Sequence, residues 1–354
     1  AGLSERALAG RNTRVVAPRR YGKTSLLKHL VAAWGRAGYG LEIGVYVDLY
    51  GAIGAADVTT RLERALHAAQ LPRNQTRWLE GRLRTFTRGA RLHVGPLSLA
   101  RSDAAGPPRS GKPGALEDRF AIFAELQDRV RAPVVVVLDE FQAVLAGAGD
   151  IDATIRSEIQ HHDRVGYIFA GSHVGMMREL FADRTRPFYA QATPLTLGPL
   201  PPGPLAEYIG ARFEHHDRDC ERALGALLDL GRGHPQRSMM LAAHLFAATP
   251  EGGSADEATL EDALDNAMRE ADNELQGRWD AFTVSQRRAL AALADQQAPF
   301  SQAAAHAHGT SKGATGKALA ALAASADITQ AEDGNWTIVD PFMQEWIRRL
   351  RTRG

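Results

Sequence analysis

The feature that most constrains the fold of this chain is a strand-like run, a short loop and a helical pattern in direct succession within residues 14–34. Residues 14–16 have strand character, and the apolar residues after the loop recur with the spacing of an amphipathic helix. Further strand-like runs lie at 41–47, 133–138 and 165–170, with helical patterns between them. Strands that alternate with helices predict an α/β fold built on a parallel sheet.

The loop between the first strand and helix has a recognisable pattern. Residues 17–24 read APRRYGKT and fit the phosphate-loop pattern G-x-x-x-x-G-K-[ST], with alanine at the first position. Backbone N–H groups and the helix dipole bind a polyphosphate in such a loop. Gly22 allows close approach, Lys23 brings a positive charge to the β- and γ-phosphate oxygens, and Thr24 offers a hydroxyl to Mg²⁺. The predicted ATP-binding residues of this segment are Ala17, Pro18, Arg19, Arg20, Tyr21, Gly22, Lys23, Thr24 and Ser25.

A second half of the predicted site follows the valine-rich run at 134–138. Its unbroken β-branched character suits a central parallel strand covered on both faces, and it ends in Asp139 and Glu140. An acidic residue at such a strand end holds the Mg²⁺ shell, and a second one activates water. We assign Asp139 and Thr24 to Mg²⁺ and Glu140 to water polarisation, which predicts ATP hydrolysis. The alternative is that both acids only cap a helix that begins at Phe141.

A polar side chain follows the next strand-like run, at 165–170. Ser172 lies there, where a hydroxyl could reach the γ-phosphate or the attacking water. A Gly-Ser pair ends many strands, so the prediction depends on its position after the acidic strand. The predicted catalytic residues are Lys23, Asp139, Glu140 and Ser172.

Strand signals disappear after about residue 200, and helical patterns dominate as far as residue 273. We therefore predict a P-loop core at 1–200, a helical lid domain at 201–273 and a third domain at 274–354.

The third predicted domain has the element order of a winged helix-turn-helix. Three helical patterns are followed by two strand-like runs on either side of Asp333 and Gly334. An Asp-Gly pair is typical of a type I′ hairpin turn, in which both central residues have a positive φ. Asp340 and Pro341 then predict the N-cap and first residue of a final helix. Its inward-facing residues are predicted to be Phe342, Trp346 and Ile347.

Composition limits the environment and the ligands. The chain has 42 Lys and Arg against 41 Asp and Glu, so it lacks the long-range positive field that drives non-specific nucleic-acid binding. The single cysteine, Cys220, excludes an intramolecular disulfide and a cysteine-based zinc site. No apolar run approaches the ~18 residues that cross a bilayer. We expect a cytoplasmic protein without membrane contact. Five of the basic residues are lysines, and Lys23 stands where a compact ammonium reaches phosphate oxygens better than a guanidinium.

Four segments together resemble the archaeal-type ATPase family, within the AAA+/STAND group of P-loop ATPases. They lie at 18–27, 138–142, 169–172 and 233–235. The resemblance covers nearly the whole chain, because these proteins also end in a winged helix with Asp-Pro before the last helix, as at 340–341 here.

The resemblance implies further site residues. Ser172 matches the polar sensor after the fourth strand, and His234 and Pro235 match the start of a lid helix that packs near the adenine. A trans-acting arginine is also implied, and Arg184 and Arg186 are its two candidates.

A winged helix suggests DNA binding, with the helix at 311–324 in the major groove. Its Ser311, Lys312 and Lys317 are suited to such contacts. Residues 274–354, however, carry nine basic and eight acidic residues, which is less basic than DNA-binding modules usually are. A role in packing or in binding a protein partner is the open alternative.

A more basic region lies at 82–112, with seven basic residues and one acidic residue. It includes a Gly- and Pro-rich stretch at 102–115 that predicts an insertion loop. This region either contacts a nucleic-acid backbone or an acidic partner, or is a solvated arginine face.

Together these features predict an ATP-dependent molecular switch. Binding of Mg-ATP closes the helical domain over the phosphate loop, hydrolysis through Glu140 opens it to leave ADP, and the winged helix reports the change to DNA or to a protein partner. One alternative is a DNA-binding replication or recombination ATPase of the origin-recognition type. Another is a STAND-type signalling scaffold with slow turnover, in which nucleotide controls the formation of a homo-oligomer.

Overall fold

The computed structural model describes residues 2–34, 42–89, 115–146, 150–309, 311–331 and 333–352. Its contacts divide the chain into two compact units. The first unit comprises Ala1–Val16, Lys23–Ser172 and Met176–Thr196, and the second comprises Ala17–Gly22, His173–Gly175 and Leu197–Gly354. In the described part of the chain, no helix combines the length and the apolar character that a bilayer crossing requires.

A parallel five-stranded sheet forms the centre of the first unit. Its strands are β1 Thr13–Val16, β2 Ile43–Asp48, β3 Val134–Asp139, β4 Val165–Gly171 and β5 Thr193–Thr196. Their order across the sheet is β2-β3-β4-β1-β5. Every residue of β3 and β4 is buried, as the unbroken apolar runs predict for inner strands. Because the strands are parallel, their carboxyl ends share one edge, and the residues that follow them meet there.

Helices connect and cover these strands. They are α1 Gly2–Leu8, α2 Lys23–Trp34, α3 Gly54–Ala68, α4 Arg73–Gly89, α5 Ala115–Val130, the 3₁₀ helix Phe141–Leu145, α6 Ile151–Ile159 and α7 Val174–Ala182. The core contains fully buried aromatic side chains, among them Phe120, Phe141 and Phe169. This architecture confirms the predicted α/β fold with a parallel sheet.

Strand β5 is the element of the sheet that the sequence patterns do not predict. It is short, and Pro194 lies inside it, which removes one backbone donor. It pairs only with β1 and therefore lies at the edge of the sheet, where a missing N–H is tolerated. The sheet therefore has one more strand after β4, and Pro194 is the reason why the sequence of this strand does not indicate it.

The second unit is mainly helical. Its first helices are α8 Pro202–Glu214, α9 Glu221–Gly231, α10 Pro235–Ala248 and α11 Glu257–Ala281. They are followed by α12 Val284–Ala294, α13 Gln302–His308, α14 Lys312–Ala324, β6 Ile328–Gln330, β7 Trp336–Ile338 and α15 Pro341–Thr352. One hydrophobic cluster extends from α8 to α15. The division into domains at 201–273 and 274–354 stays a prediction, and the structure joins both ranges in one compact unit.

The C-terminal part has the predicted order of three helices, an antiparallel hairpin and a final helix. The predicted type I′ turn is wrong: Gly334 has a φ of 85°, but Asp333 does not have a positive φ. The strands end at Gln330 and begin again at Trp336, so the connection is longer than two residues. Among its described residues, 331 and 333–335, only Gly334 has a positive φ. The assignment as a winged helix stays a prediction.

The predicted start of the final helix is confirmed. Asp340 accepts hydrogen bonds from the backbone N–H groups of Phe342 at 3.0 Å and Met343 at 3.4 Å, and Pro341 is the first residue of α15. The side chains of Phe342, Trp346 and Ile347 are buried, as their spacing predicts.

Candidate functional site

The first turn of α2 and the carboxyl end of β3 bring four predicted residues into contact in the first unit. Lys23 is 5% exposed, and its ammonium pairs with Oδ1 of Asp139 and lies 3.1 Å from Oε1 of Glu140. The hydroxyl of Thr24 donates to Oδ2 of Asp139 at 2.7 Å. These residues lie about 115 positions apart in the sequence, and the parallel sheet places them at one edge.

Asp139 is held as a carboxylate in a buried position. Burial alone would raise its pKa, but the charge of Lys23 and the hydrogen bonds from Lys23, Thr24 and Tyr46 outweigh burial and lower it below the ordinary value. Asp139 is 1% exposed. A charged, buried carboxylate beside a hydroxyl and an ammonium is suited to hold a hydrated divalent cation next to a phosphate.

Glu140 has a strained backbone and a well-held side chain. Its φ of 54° lies in the left-handed region, which a residue with a side chain adopts at a cost. Its Oε2 accepts a hydrogen bond from the hydroxyl of Ser172 at 2.9 Å and another from the amide of Gln142. Its side chain forms no capping bond to the 3₁₀ helix that follows. The side chain of Glu140 therefore contacts Lys23, Ser172 and Gln142 and does not cap the helix.

Two side chains of this cluster were given no role from the sequence. Tyr46 on β2 belongs to no motif, and its hydroxyl donates to Oδ2 of Asp139 at 2.8 Å. Gln142 belongs to the segment 138–142 that carries the resemblance, and it contacts Glu140 as described. Burial, reinforced by the charge of Asp139, raises the pKa of Tyr46. The sequence does contain a signal for Tyr46. It is a tyrosine, with an apolar ring and a polar hydroxyl, near the carboxyl end of a parallel strand, and the carboxyl ends of such strands share one edge of the sheet. Only the order of the strands shows which neighbour it reaches.

The loop Ala17–Gly22, which leads from β1 to α2, belongs to the second compact unit. Arg20 and Gly22 have φ values of 68° and 73°, in the left-handed region. A Cβ at Gly22 would meet no atom within 4 Å, so its backbone conformation is the reason for glycine there. Ala17 is fully buried and does not need a positive φ, which explains why alanine replaces the first glycine. Ser25 is exposed on α2.

The loop contacts the start of α10 within the second unit. The rings of Tyr21 and His234 meet edge to face, with centroids 4.9 Å apart. His234 is the N-cap of α10 and accepts from the backbone N–H of Arg237, and Pro235 is the first helical residue. Burial lowers the pKa of His234 to about 4, so the ring is neutral near pH 7. Gly233 has a φ of 67°, and a Cβ there would lie 2.4 Å from the Leu200 carbonyl oxygen.

A buried ionic network extends from this point through the second unit. Arg237 is fully buried and donates to Asp340 at 3.0 and 2.8 Å. It also donates to Oε1 of Glu274 at 2.8 Å, and Arg20 of the loop forms an ion pair with the same oxygen. Arg278 donates to Asp340 at 2.8 Å. No sequence motif indicates this network, because its members come from four separate segments.

The two candidate trans-acting arginines differ in their surroundings. Arg186 forms an ion pair with Glu179 and lies 3.8 Å from Asp152. Arg184 is exposed, and its side chain forms no ion pair with any described residue. Arg184 is therefore the one whose guanidinium is accessible to another molecule.

The residues predicted to contact DNA lie at the start of α14 and along it. Ser311 is the N-cap, and its side chain accepts from the backbone N–H of Ala314. Lys312 and Lys317 are exposed, but five positions correspond to about 140° around a helix, so they do not share one face. Most of the basic region at 82–112 lies outside the described residues; within it, Arg82 pairs with Glu125 at 2.7 Å.

The sheet order β2-β3-β4-β1-β5, with the loop 17–22 after β1 and Asp139 and Glu140 at the end of β3, is that of the P-loop NTPase fold. The chain is similar to the Walker-type ATPase of Pyrococcus abyssi, with 17% identity, a TM-score of 0.65, and coverage of 97% of this chain and 93% of that chain.

The chain is also similar to the ORC2 protein of Aeropyrum pernix. The structure of its ADPNP-ADP complexes is 16% identical with a TM-score of 0.53, over 100% of this chain and 93% of that chain. Its ADP form is 16% identical with a TM-score of 0.51, over 99% and 91%. No protein-family model and no curated protein sequence matches this chain. The structural similarities confirm the resemblance to the archaeal-type ATPases at the level of the fold.

Proposed function

We propose that this protein binds and hydrolyses Mg-ATP and acts as a nucleotide-dependent switch. The observation that carries the proposal is the contact of Lys23 and Thr24 with Asp139 and Glu140 at the carboxyl edge of the sheet. The proteins of similar fold include an ATPase and a protein solved with ADPNP and ADP, which supports a nucleotide as the ligand.

The donor set fits a magnesium ion, because hydroxyl and carboxylate oxygens are the ligands that Mg²⁺ prefers and Asp139 is charged. Thr24 and Asp139 would hold the ion and its water shell. When bound there, Mg²⁺ neutralises negative charge on the phosphate oxygens.

The residues of the site then have separate roles. When nucleotide binds, the ammonium of Lys23 contacts phosphate oxygens in place of the carboxylates of Asp139 and Glu140. Oε1 of Glu140, which Lys23 contacts in the structure, is then free. Ser172 and Gln142 retain Oε2 of Glu140 by their hydrogen bonds. The free Oε1 accepts a hydrogen bond from water and orients it toward the γ-phosphate.

The test compares Lys23→Ala and Glu140→Gln with the wild type. We expect Lys23→Ala to abolish ATP binding, because Lys23 is the one lysine of the phosphate-loop motif and its ammonium is assigned to the β- and γ-phosphate oxygens. Glu140→Gln keeps the shape of the side chain and should bind ATP with unchanged affinity but hydrolyse it at least about a hundredfold more slowly. Glu80→Gln, on the partly exposed surface of α4, is the matched control and should hydrolyse ATP as the wild type does. Equal turnover in Glu140→Gln and wild type would contradict the role of Glu140.

The network in the second unit supports a coupling of the phosphate loop to the C-terminal segment. Arg20 of the loop and Arg237 of α10 share Oε1 of Glu274, and Arg237 in turn holds Asp340 at the start of α15. A polyphosphate bound by the loop would attract Arg20, because Arg20 belongs to that loop and carries the opposite charge. Glu274 would then pair with Arg237 alone, which changes the electrostatic balance at the N-terminus of α15.

Hydrogen exchange of the full chain tests this coupling. We expect ATP to change the protection of the hairpin and α15 in the wild type. In Glu274→Gln the change should be lost while ATP still binds. Glu270→Gln, one helical turn earlier on α11 and paired with His244, should respond as the wild type does. A full response in Glu274→Gln would show that the coupling does not pass through Glu274.

DNA binding by the C-terminal segment is a second candidate function. It is supported by the order of three helices, a hairpin and a final helix, which is that of a winged helix-turn-helix, and by the exposed Lys312 and Lys317 on α14. The test is fluorescence anisotropy with duplex DNA over a series of salt concentrations. Binding that weakens with salt in the wild type, and weakens further in Lys312→Ala/Lys317→Ala, is the expected result. An unchanged affinity in the double variant would remove these lysines from the interface.

A further inference from the structure

The hydroxyl of Tyr46 is a fixed part of the acidic site. Tyr46 lies on β2, the neighbour of β3 in the sheet, and donates to Oδ2 of Asp139 at 2.8 Å. We propose that Tyr46 is a positioning residue that fixes the carboxylate of Asp139 for magnesium binding. This inference rests on the proposed function, and it assigns to a strand residue a role that the motif residues alone do not fill.

Four donors occupy the carboxylate of Asp139. Oδ1 accepts from the ammonium of Lys23 and from the backbone N–H of Glu140, the latter at 2.9 Å. Oδ2 accepts from the hydroxyls of Thr24 at 2.7 Å and Tyr46 at 2.8 Å. Since a carboxylate offers about four acceptor positions, this set fills it.

Binding of Mg-nucleotide recruits two of these four donors. Lys23 turns to the phosphate oxygens and Thr24 offers its oxygen to the cation, as the proposed function requires. The backbone N–H of Glu140 then remains on Oδ1, and the hydroxyl of Tyr46 remains on Oδ2. One fixed donor on each oxygen prevents rotation of the carboxylate, and each oxygen keeps one acceptor position for the waters of the cation.

The ring of Tyr46 is itself held from two sides. In the parallel pairing of β2 and β3, Tyr46 pairs with Val137 and Asp48 pairs with Asp139, so Tyr46 lies two residue pairs before the end of the pairing. The ammonium of Lys28 lies 5.2 Å from the ring centroid, a distance typical of a cation–π contact. Lys28 is on α2, the helix that also carries Thr24. Strand and helix thus fix the hydroxyl in relation to the residues that receive the cation.

The experiment uses Tyr46→Phe, which removes the hydroxyl but keeps the ring. Tyr50→Phe is the matched control, since Tyr50 is 76% exposed on the loop after β2. The dissociation constant of a fluorescent ADP analogue is measured with EDTA and then over a Mg²⁺ titration. ADP avoids hydrolysis, so the readout is independent of activity. The unfolding temperature of each variant is recorded without ligand.

We expect Tyr46→Phe to bind the analogue in EDTA as the wild type does. The Mg²⁺ concentration that gives half of the Mg²⁺-dependent increase in affinity for the analogue should rise about tenfold. This is the effect of losing one hydrogen bond to a charged group. Tyr50→Phe should match the wild type throughout. An unchanged Mg²⁺ midpoint in Tyr46→Phe overturns the inference. This holds even if the unfolding temperature of the variant falls, because the hydroxyl would in that case contribute only to stability. A wild type that does not bind the analogue overturns the proposed function itself.

Discussion

Arg237 donates three hydrogen bonds to the carboxylate of Asp340 across 103 positions of the chain, and both side chains are buried. The same carboxylate caps α15 through the backbone N–H groups of Phe342 and Met343. Burial by itself would raise the pKa of Asp340, but the hydrogen bond and charge of Arg237 and the charge of Arg278 lower it to about 2. One aspartate therefore joins α10 and α11 to the start of the final helix.

Asp340→Asn should strongly destabilise the second unit. The variant removes the buried anion of the fully buried Arg237 and leaves only the partly exposed Glu274 as its ionic partner. Loss of one partner of a buried ion pair typically lowers the free energy of unfolding by about 3–5 kcal/mol. Urea denaturation at pH 7 measures this loss. Asp333→Asn, in the exposed hairpin connection, is the control and should change the free energy of unfolding only slightly. If both variants unfold at the wild-type urea concentration, the buried pair does not stabilise the unit.

Asp340 also predicts a dependence of stability on acid. Its pKa in the folded chain, about 2, lies below the ordinary value of 3.8. The contribution is complete above about pH 4 and is lost as the pH falls from about 4 to about 2, because the unfolded chain then binds the proton more readily. The wild type should therefore lose stability in this range, and Asp340→Asn should lose less.

His234 predicts a separate window at higher pH. Its pKa of about 4 in the folded chain lies below the ordinary value of 6.5. Between these values the unfolded chain binds a proton that the folded chain does not, so the free energy of unfolding falls as the pH falls from 6.5 to 4, by roughly 3 kcal/mol. His234→Asn keeps an N-cap acceptor and removes the titration. Burial also lowers the pKa of His162 to about 4, and the difference between wild type and His234→Asn isolates His234. Parallel profiles would refute this assignment.

Ser172→Ala should slow hydrolysis without weakening nucleotide binding. The hydroxyl donates to Oε2 of Glu140 at 2.9 Å, and its loss leaves Gln142 as the remaining side chain on that oxygen. We expect kcat to fall about tenfold with an unchanged Kd for ATP. Ser157→Ala, at an exposed position of α6, serves as the control. An equal effect on both constants would mean that Ser172 supports the fold of the site rather than the orientation of Glu140.

Arg184 predicts activity that depends on a second copy of the chain. Arg184→Ala should bind ATP normally and hydrolyse it about a thousandfold more slowly, as for loss of a trans-acting arginine. Mixing Arg184→Ala with Glu140→Gln should restore turnover, because one chain then supplies an intact site and the other supplies the guanidinium. Arg164→Ala, exposed and paired with Asp128, is the control. The molecular size of the wild type, measured with and without ATP, completes the test. A wild type that hydrolyses ATP while it stays monomeric would exclude both action in trans and a scaffold whose assembly depends on nucleotide.

Several parts of the fold could be predicted from the sequence because they depend on local patterns. The valine run predicts an inner strand, the spacing after Lys23 predicts α2, and Asp340 with Pro341 predicts the start of α15; the structure confirms all three. The hairpin is confirmed as a pairing, while its turn type is wrong. Strand β5 was beyond prediction, because Pro194 hides its signal and its pairing with β1 gives it its place.

The candidate site divides in the same way. By itself the sequence determined the residue types at the phosphate loop and after β3, since phosphate and magnesium chemistry requires lysine, hydroxyl and carboxylate groups at those spacings. Only the tertiary structure decided which side chains surround them: Tyr46 reaches Asp139 because β2 lies beside β3, and Arg237 reaches Asp340 because α10 packs in the same unit as α15. Local patterns depend on neighbours within a few residues, whereas these contacts join segments 93 and 103 positions apart, and the order of strands and the packing of helices alone bring them together.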